Sequence, residues 1–397
     1  MKTSKKYSLA EAAEYFGTQQ ATVSTWVKSG LLPRADDGTF DERELGRFSP
    51  KNHSSAATGM RVVSFFSGCG GLDLGFQNAG FQLGYANDFF LGAVKTYEKN
   101  IGPIDPRSIY EIGSEDVGSA DVVLAGFPCQ PFSNAGSRRG TSDPRGTLFW
   151  ETLRFIDSSK PKVVVFENVR GLLSIKNPDG ELLINAIKRE VEARGYIVNF
   201  KLLNANDYGV PQNRHRVFVI GVRAGEGFGA FDFDKIVRSE VSKIESALVG
   251  LPTDDPNDEH WELSPQAKHL VKFIPEGGSW KSVPYEELPL RLKKIRDDMT
   301  RYHSPNFYRR FGYGEVMGTV TAAATPENSG ILHPREPRRY TVREIARFQS
   351  FPDKFLFMGK GISEKYKQIG NAVPPKLAEC LASAIRDQYF KASDSTS

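Results

Sequence analysis

Cysteine is scarce in this sequence of 397 residues, and long apolar runs are missing from it. The three cysteines, Cys69, Cys129 and Cys380, form no Cys-x-x-Cys pair. Their number and spacing argue against a disulfide scaffold or a cysteine-built zinc site and favour a reducing compartment. No apolar stretch is long enough to span a bilayer, and the charged N-terminus lacks the apolar core of a secretory signal. We therefore expect a cytoplasmic globular protein without a membrane partner.

Charge of one sign is not in large excess either. The chain has 52 lysines and arginines against 48 acidic residues, a net charge of +4. The excess is concentrated in residues 270–350, which carry fourteen basic and nine acidic side chains, so the rest of the chain sums to −1. A basic segment on a near-neutral body suits a polyanion-binding face. An ordinary solvated surface fits the charge count equally well.

The length exceeds what one ordinary hydrophobic core accommodates, so two or three domains are expected. A short helical segment comes first, and a linker rich in Ser, Ala and Gly follows it. Strand and helix patterns then alternate until this regularity fails, and helical periodicity returns near the C-terminus. The predicted boundaries are 1–50, 51–59, 60–223, 224–325, 326–390 and 391–397.

The first segment predicts a small helical head. Leu9, Ala12 and Phe16 have helical spacing, and Ser8 with Glu11 fits a capping box. A glycine ends this helix, and a second helical pattern follows after a short turn. The arrangement resembles the helix-turn-helix heads of the excisionase and MerR type, which bind DNA. A docking or dimerisation module would show the same pattern.

Strands and helices alternate after the linker. Such alternation predicts an α/β fold with a mostly parallel, doubly wound sheet. The predicted helices include residues 146–159 and 180–195. The predicted buried strands are 61–66, 81–88, 121–128, 160–169 and 216–223.

A glycine-rich turn, FSGCGGLDLGF, directly follows the first of these strands. Gly68, Gly70 and Gly71 let the backbone approach a ligand with free N–H groups facing it. Asp88 ends the next strand, where an acid is placed to accept hydrogen bonds from ribose hydroxyls. These residues predict a nucleoside cofactor. They do not by themselves separate a dinucleotide from S-adenosyl-L-methionine, although the spacing departs from G-x-G-x-x-G.

Two further strands end in reactive groups. Cys129 lies in GFPCQPFS on a loop that Pro128 and Pro131 stiffen, and Glu167 ends the strand VVVFENV. A lone cysteine is usually a small buried hydrophobe. A cysteine held between prolines at a strand end fits that role poorly, because α/β sheets place their chemistry at this edge.

Two arginines precede the last strand. Arg214 and Arg216 are two residues apart, so both side chains point to the same face and can aim at one carboxylate, phosphate or base edge. Further along, Gly370 and Asn371 precede a proline-bounded helix in QIGNAVPP.

Together these blocks resemble the cytosine-5 DNA methyltransferases of the bacterial modification type. The resemblance runs from Arg61 to Phe390, with the blocks in family order. It implies a Rossmann-like catalytic domain in residues 60–223, a target-recognition region in 224–325, and a return to the catalytic domain in 326–390. The blocks are FSGCGGLDLGF, GFPCQPFS, ENVRGLL, QNRHRVFVIGVR, RYTVREIARFQSFPD and QIGNAVPP.

The resemblance also implies a mechanism. Cys129 adds to C6 of a flipped-out cytosine, and Glu167 contacts N3 and the exocyclic amine. Arg216 holds the carbonyl oxygen and positions the glutamate, while Arg214 stabilises a phosphate or the neighbouring loop. No metal is needed.

The resemblance also implies ligand contacts at the positions that match the family's motifs. Ser108 stands where the family has an aspartate that meets the adenine amino group, so this contact stays open. Asp88 replaces the more common glutamate. The implied S-adenosyl-L-methionine contacts are Phe66, Ser67, Gly68, Gly70, Gly71, Asp88, Phe89, Pro128, Asn371 and Ala372. The implied DNA contacts are Gln130, Ser133, Arg138, Arg139, Arg145, Arg309 and Arg310.

The resulting expectation is a methyltransferase that acts on a short sequence of double-stranded DNA and protects it beside a separate restriction endonuclease. Three alternatives stay open. The same enzyme could act mainly as an operon autoregulator that binds operator DNA through its head. It could be an RNA cytosine methyltransferase. It could also be a regulator with an inactive methyltransferase body, against which the intact set of Cys129, Glu167 and Arg216 argues.

Overall fold

The computed structural model describes residues 5–16, 20–28, 32–48, 60–128, 148–225, 229–298, 307–322 and 330–390. Its contacts group the chain into two compact units. The first consists of Met1–Leu203, Arg216–Ile236 and Leu381–Ser397, and the second of Asn204–His215 and Val237–Cys380.

The head has the predicted helices and a small core of its own. Its first helix begins with the expected capping box, in which the Ser8 N–H donates to Glu11 Oε2 at 2.7 Å and the Glu11 N–H donates to Ser8 Oγ at 3.3 Å. Leu91, from the catalytic part of the chain, packs against the head's core. The elements are β1 (Lys6–Tyr7), α1 (Leu9–Phe16), α2 (Gln20–Lys28), β2 (Phe40–Asp41) and α3 (Glu42–Phe48), with β1 and β2 antiparallel.

Six of the described strands form the central sheet in the order β4-β3-β5-β6-β8-β7. The pairs β3–β4, β3–β5 and β5–β6 are parallel, whereas β6–β8 is antiparallel, so the sheet is mixed. Strand β7, which ends the order, was not predicted. The strands are β3 (Arg61–Phe65), β4 (Gln82–Asn87), β5 (Val122–Ala125), β6 (Val163–Val169), β7 (Tyr196–Asn204) and β8 (His215–Arg223).

Helices pack around this sheet. Every residue of β5 is buried, as expected for a strand covered on both faces. The parallel pairing of β3, β5 and β6 brings their carboxyl ends to one edge of the sheet, where Phe66, Gly126 and Glu167 lie. The helices of the first unit are α4 (Gly71–Asn78), α5 (Leu91–Asn100), α6 (Ser114–Val117), α7 (Leu148–Ser159) and α8 (Leu183–Glu192).

The second unit has short helices and an aromatic core that includes Trp280 and Tyr308. Residues 330–380 are grouped with this unit, and within it Arg343 makes a buried ion pair with Asp255. The helices are α9 (Ile244–Leu248), α10 (Pro265–Leu270), α11 (Leu290–Asp297), α12 (Val342–Phe348), α13 (Ile362–Asn371) and α14 (Pro375–Tyr389), of which α14 belongs to the first unit from Leu381 onward. Within the described ranges, no helix is long and apolar enough to cross a membrane.

Candidate active site

The glycine turn connects β3 to α4 and has a conformation that requires glycine. Gly70 has a φ of 89°, and a Cβ added there would lie 2.1 Å from Ile101 Cδ1. Gly68 has a φ of 57°, and a Cβ there would meet nothing within 4 Å. One side of the turn is thus packed against α5, while the backbone at Gly68 borders open space that a ligand can approach.

Asp88 fastens this turn to the end of β4. Its Oδ2 accepts the Gly68 N–H and its Oδ1 accepts the Phe90 N–H, both at 2.8 Å. Burial raises the pKa of Asp88, although the two N–H groups favour its charged form. Each carboxylate oxygen can accept a further hydrogen bond.

These residues fit the nucleoside part of S-adenosyl-L-methionine. The open space at Gly68 gives room for a ligand, and the spare acceptor capacity of Asp88 suits ribose hydroxyls. Phe89 is 68% exposed, so its ring is available to an adenine base. Phe66 adopts a φ of 57° at the start of the turn. Of the predicted contacts, Gly68 and Asp88 are joined directly by a hydrogen bond at the end of β4.

A buried acid that the sequence analysis missed lies behind the turn. The Ser67 hydroxyl donates to Ser64 Oγ at 2.9 Å, and the Ser64 hydroxyl donates to Asp73 Oδ1 at 2.7 Å. Burial raises the pKa of Asp73 to about 6, while hydrogen bonds from Ser64, Tyr97 and Ser67 oppose the rise. An acid inside the otherwise apolar start of α4 was the available signal.

Glu167 and Arg216 meet at the carboxyl end of β6. Arg216 Nε lies 2.8 Å from Glu167 Oε1, and the two side chains keep only 10% and 12% of their exposure. The antiparallel register pairs Val169 with Arg216, which brings both side chains to the same edge. A Cβ on Gly126 would lie 3.6 Å from Glu167 Oε2, an ordinary contact distance, so Gly126 borders the carboxylate.

The backbone two residues before Cys129 is held by a hydrogen bond from the neighbouring strand β6. Asn168 Nδ2 donates to the Phe127 carbonyl oxygen at 3.0 Å, and the Phe127 ring packs against Phe149 and Phe166. Pro128 is exposed. The backbone is thereby fixed next to Glu167, two residues before the predicted nucleophile. Outside the described residues lie Cys129, Gln130, Ser133, Arg138, Arg139 and Arg145.

Arg214 holds a loop of the second unit. It is fully buried, and its guanidinium donates to the carbonyl oxygens of Val320 at 2.9 Å and Gly370 at 2.7 Å. Of the two interpretations offered for it, loop or phosphate, these contacts favour the loop. Gln212 and Gln349, which the sequence analysis missed, extend the network: Gln212 Nε2 donates to Gln349 Oε1 at 3.1 Å.

Helix α13 ends at Asn371, directly after Gly370, whose carbonyl oxygen accepts a hydrogen bond from Arg214. Gly370 has no room for a side chain, because a Cβ would lie 2.4 Å from the Thr321 carbonyl carbon. Asn371 is exposed at the end of the helix, and the Ala372 N–H donates to the Gln368 carbonyl oxygen at 3.1 Å. Asn371 and Ala372 belong to the second unit, and Asp88 belongs to the first.

Arg309 and Arg310 make contacts inside the second unit. Arg310 is buried and donates to the carbonyl oxygens of Ile274 at 2.7 Å and Glu336 at 2.8 Å. Arg309 donates to the Gly278 carbonyl oxygen at 3.0 Å and also pairs with a glutamate. These contacts hold both guanidinium groups within the second unit, and the role of Arg309 and Arg310 as DNA contacts stays a prediction.

Ser108 begins a short helical turn. Its N–H donates to Glu111 Oε2 at 3.2 Å. The preceding residue, Arg107, is buried and bonds Asp105 Oδ2 at 2.6 Å and Asp116 Oδ2 at 3.0 Å. Asp105 and Asp116 are thus both paired with Arg107. In the part of the chain that the structure describes, no three His, Cys, Asp or Glu side chains are placed to hold a metal ion.

Known proteins resemble this chain over most of its length. The family model described as C-5 cytosine-specific DNA methylase matches residues 60–387. The chain is 36% identical to the Type II methyltransferase M.NgoFVII of Neisseria gonorrhoeae, over 86% of this chain and 91% of that protein. It is also 36% identical to the Type II methyltransferase M.MthTI of Methanothermobacter thermautotrophicus, over 82% and 97% respectively.

Solved structures show the same fold. A crystal structure described as a DNA modification methyltransferase encoded within an E. coli prophage has a TM-score of 0.60 and 25% identity, covering 84% of this chain and all of that one. The Dnmt2 methyltransferase of S. pombe, at 19% identity, has a TM-score of 0.58 over 83% of this chain and 99% of that one. The match over most of the chain and the strand-edge site lead to one conclusion. The chain belongs to the C-5 cytosine-specific DNA methylase family and is a DNA cytosine-5 methyltransferase.

Proposed function

We propose that this enzyme transfers the methyl group of S-adenosyl-L-methionine to C5 of a flipped-out cytosine in a specific duplex sequence, through a covalent bond from Cys129 to C6. The observation that carries the proposal is the buried pair of Glu167 and Arg216 at the sheet edge. The strand that positions Glu167 also fixes the backbone before Cys129, through the bond from Asn168 to Phe127. In this proposal Cys129 is the nucleophile and Glu167 is the proton donor.

The chemistry follows from the reactivity of cytosine. C5 is too weak a nucleophile on its own, so the Cys129 thiolate first forms a bond to C6 while Glu167 gives a proton to N3. Arg216 balances the charge of Glu167 and donates to the cytosine carbonyl oxygen. The electron pair now available at C5 takes the methyl group, which S-adenosyl-L-methionine supplies as an electrophile. A base then removes the C5 proton, the C5–C6 double bond re-forms, the S–C6 bond breaks, and N3 returns its proton.

Most of the cofactor contacts in this proposal come from the strand ends and the glycine turn. In the first unit, Asp88 holds the ribose, Phe89 stacks on the base, and the turn from Phe66 through Ser67, Gly68 and Gly70 to Gly71 presents its backbone. Pro128 borders the same edge of the sheet. Asn371 and Ala372 are proposed contacts from the second unit.

DNA contacts are proposed for the loop after Cys129 and for residues 224–325. Flipping a base out of the duplex costs a few kcal/mol of unstacking, so other groups must hold the opened DNA. Arginines suit phosphates, and polar side chains read base edges. The proposed loop contacts are Gln130, Ser133, Arg138, Arg139 and Arg145, and the proposed contacts in residues 224–325 are Arg309 and Arg310.

Methylation of one short sequence by this enzyme fits a restriction-modification system in the cytoplasm, with a separate endonuclease as the partner activity. The relatives named above are Type II methyltransferases, which supports this proposal. The head is proposed to bind operator DNA. Its three helices, its β1–β2 pair and its own buried core support a small folded module.

Bisulfite sequencing of nucleic acids from cells that produce the protein tests the proposal, because 5-methylcytosine resists deamination. We expect one short recurring DNA sequence to be protected, and no protection with Cys129→Ser. Protected cytosines in RNA alone would identify an RNA enzyme. Protection in neither nucleic acid, from a folded protein, would point to an inactive regulator.

A further inference from the structure

Asp73 is a buried carboxyl group to which the mechanism gives no task. It lies in the first turn of α4, and its side chain points back to β3. Its relative exposure is 0%. Burying an acid in this way is costly unless the surroundings compensate. A helix start and hydrogen bonds such as the one from Ser64 at 2.7 Å supply only part of that compensation, because the pKa of Asp73 is still raised.

Asp73 is connected to the ligand side of the glycine turn. The hydrogen bonds run from Ser67 to Ser64 and from Ser64 to Asp73, at 2.9 Å and 2.7 Å. Ser67 directly precedes Gly68, whose N–H donates to Asp88. The turn is therefore held by two acids, one bordering the ligand and one behind the backbone.

We propose, on the basis of the proposed function, that Asp73 is a positioning residue of the methyl-donor site. It holds the Ser67–Gly68 turn through Ser64, and its charged form favours the sulfonium donor over the neutral thioether product.

The methyl donor and the product differ in the charge on sulfur. S-adenosyl-L-methionine carries a positive sulfonium, whereas S-adenosyl-L-homocysteine has an uncharged sulfur in its place. A negative charge buried behind the turn stabilises the cation and leaves the neutral sulfur almost unaffected. The effect is stronger in a protein interior than in water, because the effective dielectric constant is lower there. An apolar residue in the same place would support the turn without distinguishing the two ligands.

Three titratable groups face Asp73. Burial raises the pKa of the Tyr97 hydroxyl and raises the pKa of the Cys69 thiol to about 12, so both stay neutral across the useful pH range. Asp88 is the third and adds negative charge. Since Asp73 has a pKa of about 6, its charge can be switched on between pH 5 and pH 7.5.

The test is to measure the dissociation constants of S-adenosyl-L-methionine and S-adenosyl-L-homocysteine by calorimetry at several pH values, with the full chain. We expect the product-to-donor ratio of these constants to rise about three- to tenfold from pH 5 to pH 7.5, the size of a unit charge acting through a protein interior. With Asp73→Asn, which preserves the shape, the ratio should stay constant with pH. Glu115→Gln, which removes an exposed carboxyl from α6, should behave like the parent protein.

Ser64→Ala provides a second variant that keeps the carboxyl group. Because the Ser64 hydrogen bond lowers the pKa of Asp73, its loss should move the change in ratio to higher pH. Three results would each overturn the proposal. The parent's ratio could fail to vary with pH, Asp73→Asn could keep the parent's pH dependence, or the change in ratio could occur at the parent's pH in Ser64→Ala. Failure of the parent protein to bind the donor at any pH would instead reject the proposed function.

Discussion

The pair of Glu167 and Arg216 allows a quantitative prediction. Arg216→Met keeps the length of the side chain but leaves the Glu167 carboxylate without its partner at 2.8 Å. Breaking a buried ion pair costs about 3–5 kcal/mol. The two side chains retain 10% and 12% of their exposure, so we expect a loss near the low end, about 3 kcal/mol.

A double-mutant cycle separates the pair energy from the packing of each side chain. Urea-induced unfolding of the parent, Glu167→Gln, Arg216→Met and the double variant should give a coupling free energy of about 2–3 kcal/mol. The matched control is the pair of Arg189 and Glu181, which lie 2.5 Å apart with 45% and 28% exposure. Its coupling should stay below about 1 kcal/mol. If the two cycles gave equal couplings, the claim that Glu167 and Arg216 form a desolvated unit would be wrong.

Four further outcomes are expected. Asp88→Ala should weaken S-adenosyl-L-methionine binding by about 1–3 kcal/mol in calorimetry, because ribose hydroxyls and the turn both lose an acceptor; equal affinity would remove Asp88 from the site. The free energy of unfolding of the parent, relative to that of Asp73→Asn, should fall by up to about 3 kcal/mol as the pH rises from about 4 to about 6, because the native state keeps the Asp73 proton that the unfolded chain has lost. This contribution should be absent in Asp73→Asn. Deleting residues 1–58 should leave site-specific methylation within a few-fold of the parent while abolishing operator-type DNA binding in gel shifts; loss of methylation by a folded truncated protein would contradict this. Exchanging residues 224–325 with those of a relative should transfer the sequence methylated, as read by bisulfite sequencing, and an active chimera with the original specificity would refute the placement.

The sequence predicts the buried part of the sheet better than its edge. Strand β5 is a continuous apolar run and β6 begins with one, as is typical of strands covered on both faces. Strand β7 mixes polar residues such as Asn199 and Lys201 with apolar ones, so its pattern is weak. Hydrophobicity also carries no strand direction, which is why the antiparallel β8 could not be distinguished from a parallel strand.

The site shows a similar division. Asp88 and Glu167 were predicted because each ends an apolar strand, and strand ends share an edge. The partners of charged side chains depend on tertiary contacts that no local pattern contains. Arg309 and Arg310 therefore resemble DNA contacts in the sequence, yet they bind carbonyl oxygens of their own unit. Asp73 was missed for the same reason, since its hydrogen-bond chain exists only in the folded turn.

The most direct test of the central claim is covalent trapping of Cys129. Fluorine at C5 cannot leave as a proton, so a duplex with 5-fluorocytosine at the target should stop at the methylated adduct with the sulfur still bonded to C6. With S-adenosyl-L-methionine present, the account predicts a protein–DNA complex that survives denaturing electrophoresis. The complex should disappear in Cys129→Ser and persist in Cys69→Ser and Cys380→Ser, because a serine hydroxyl is a far poorer nucleophile than a thiolate. A denaturation-resistant complex formed by Cys129→Ser would contradict the assignment of the nucleophile.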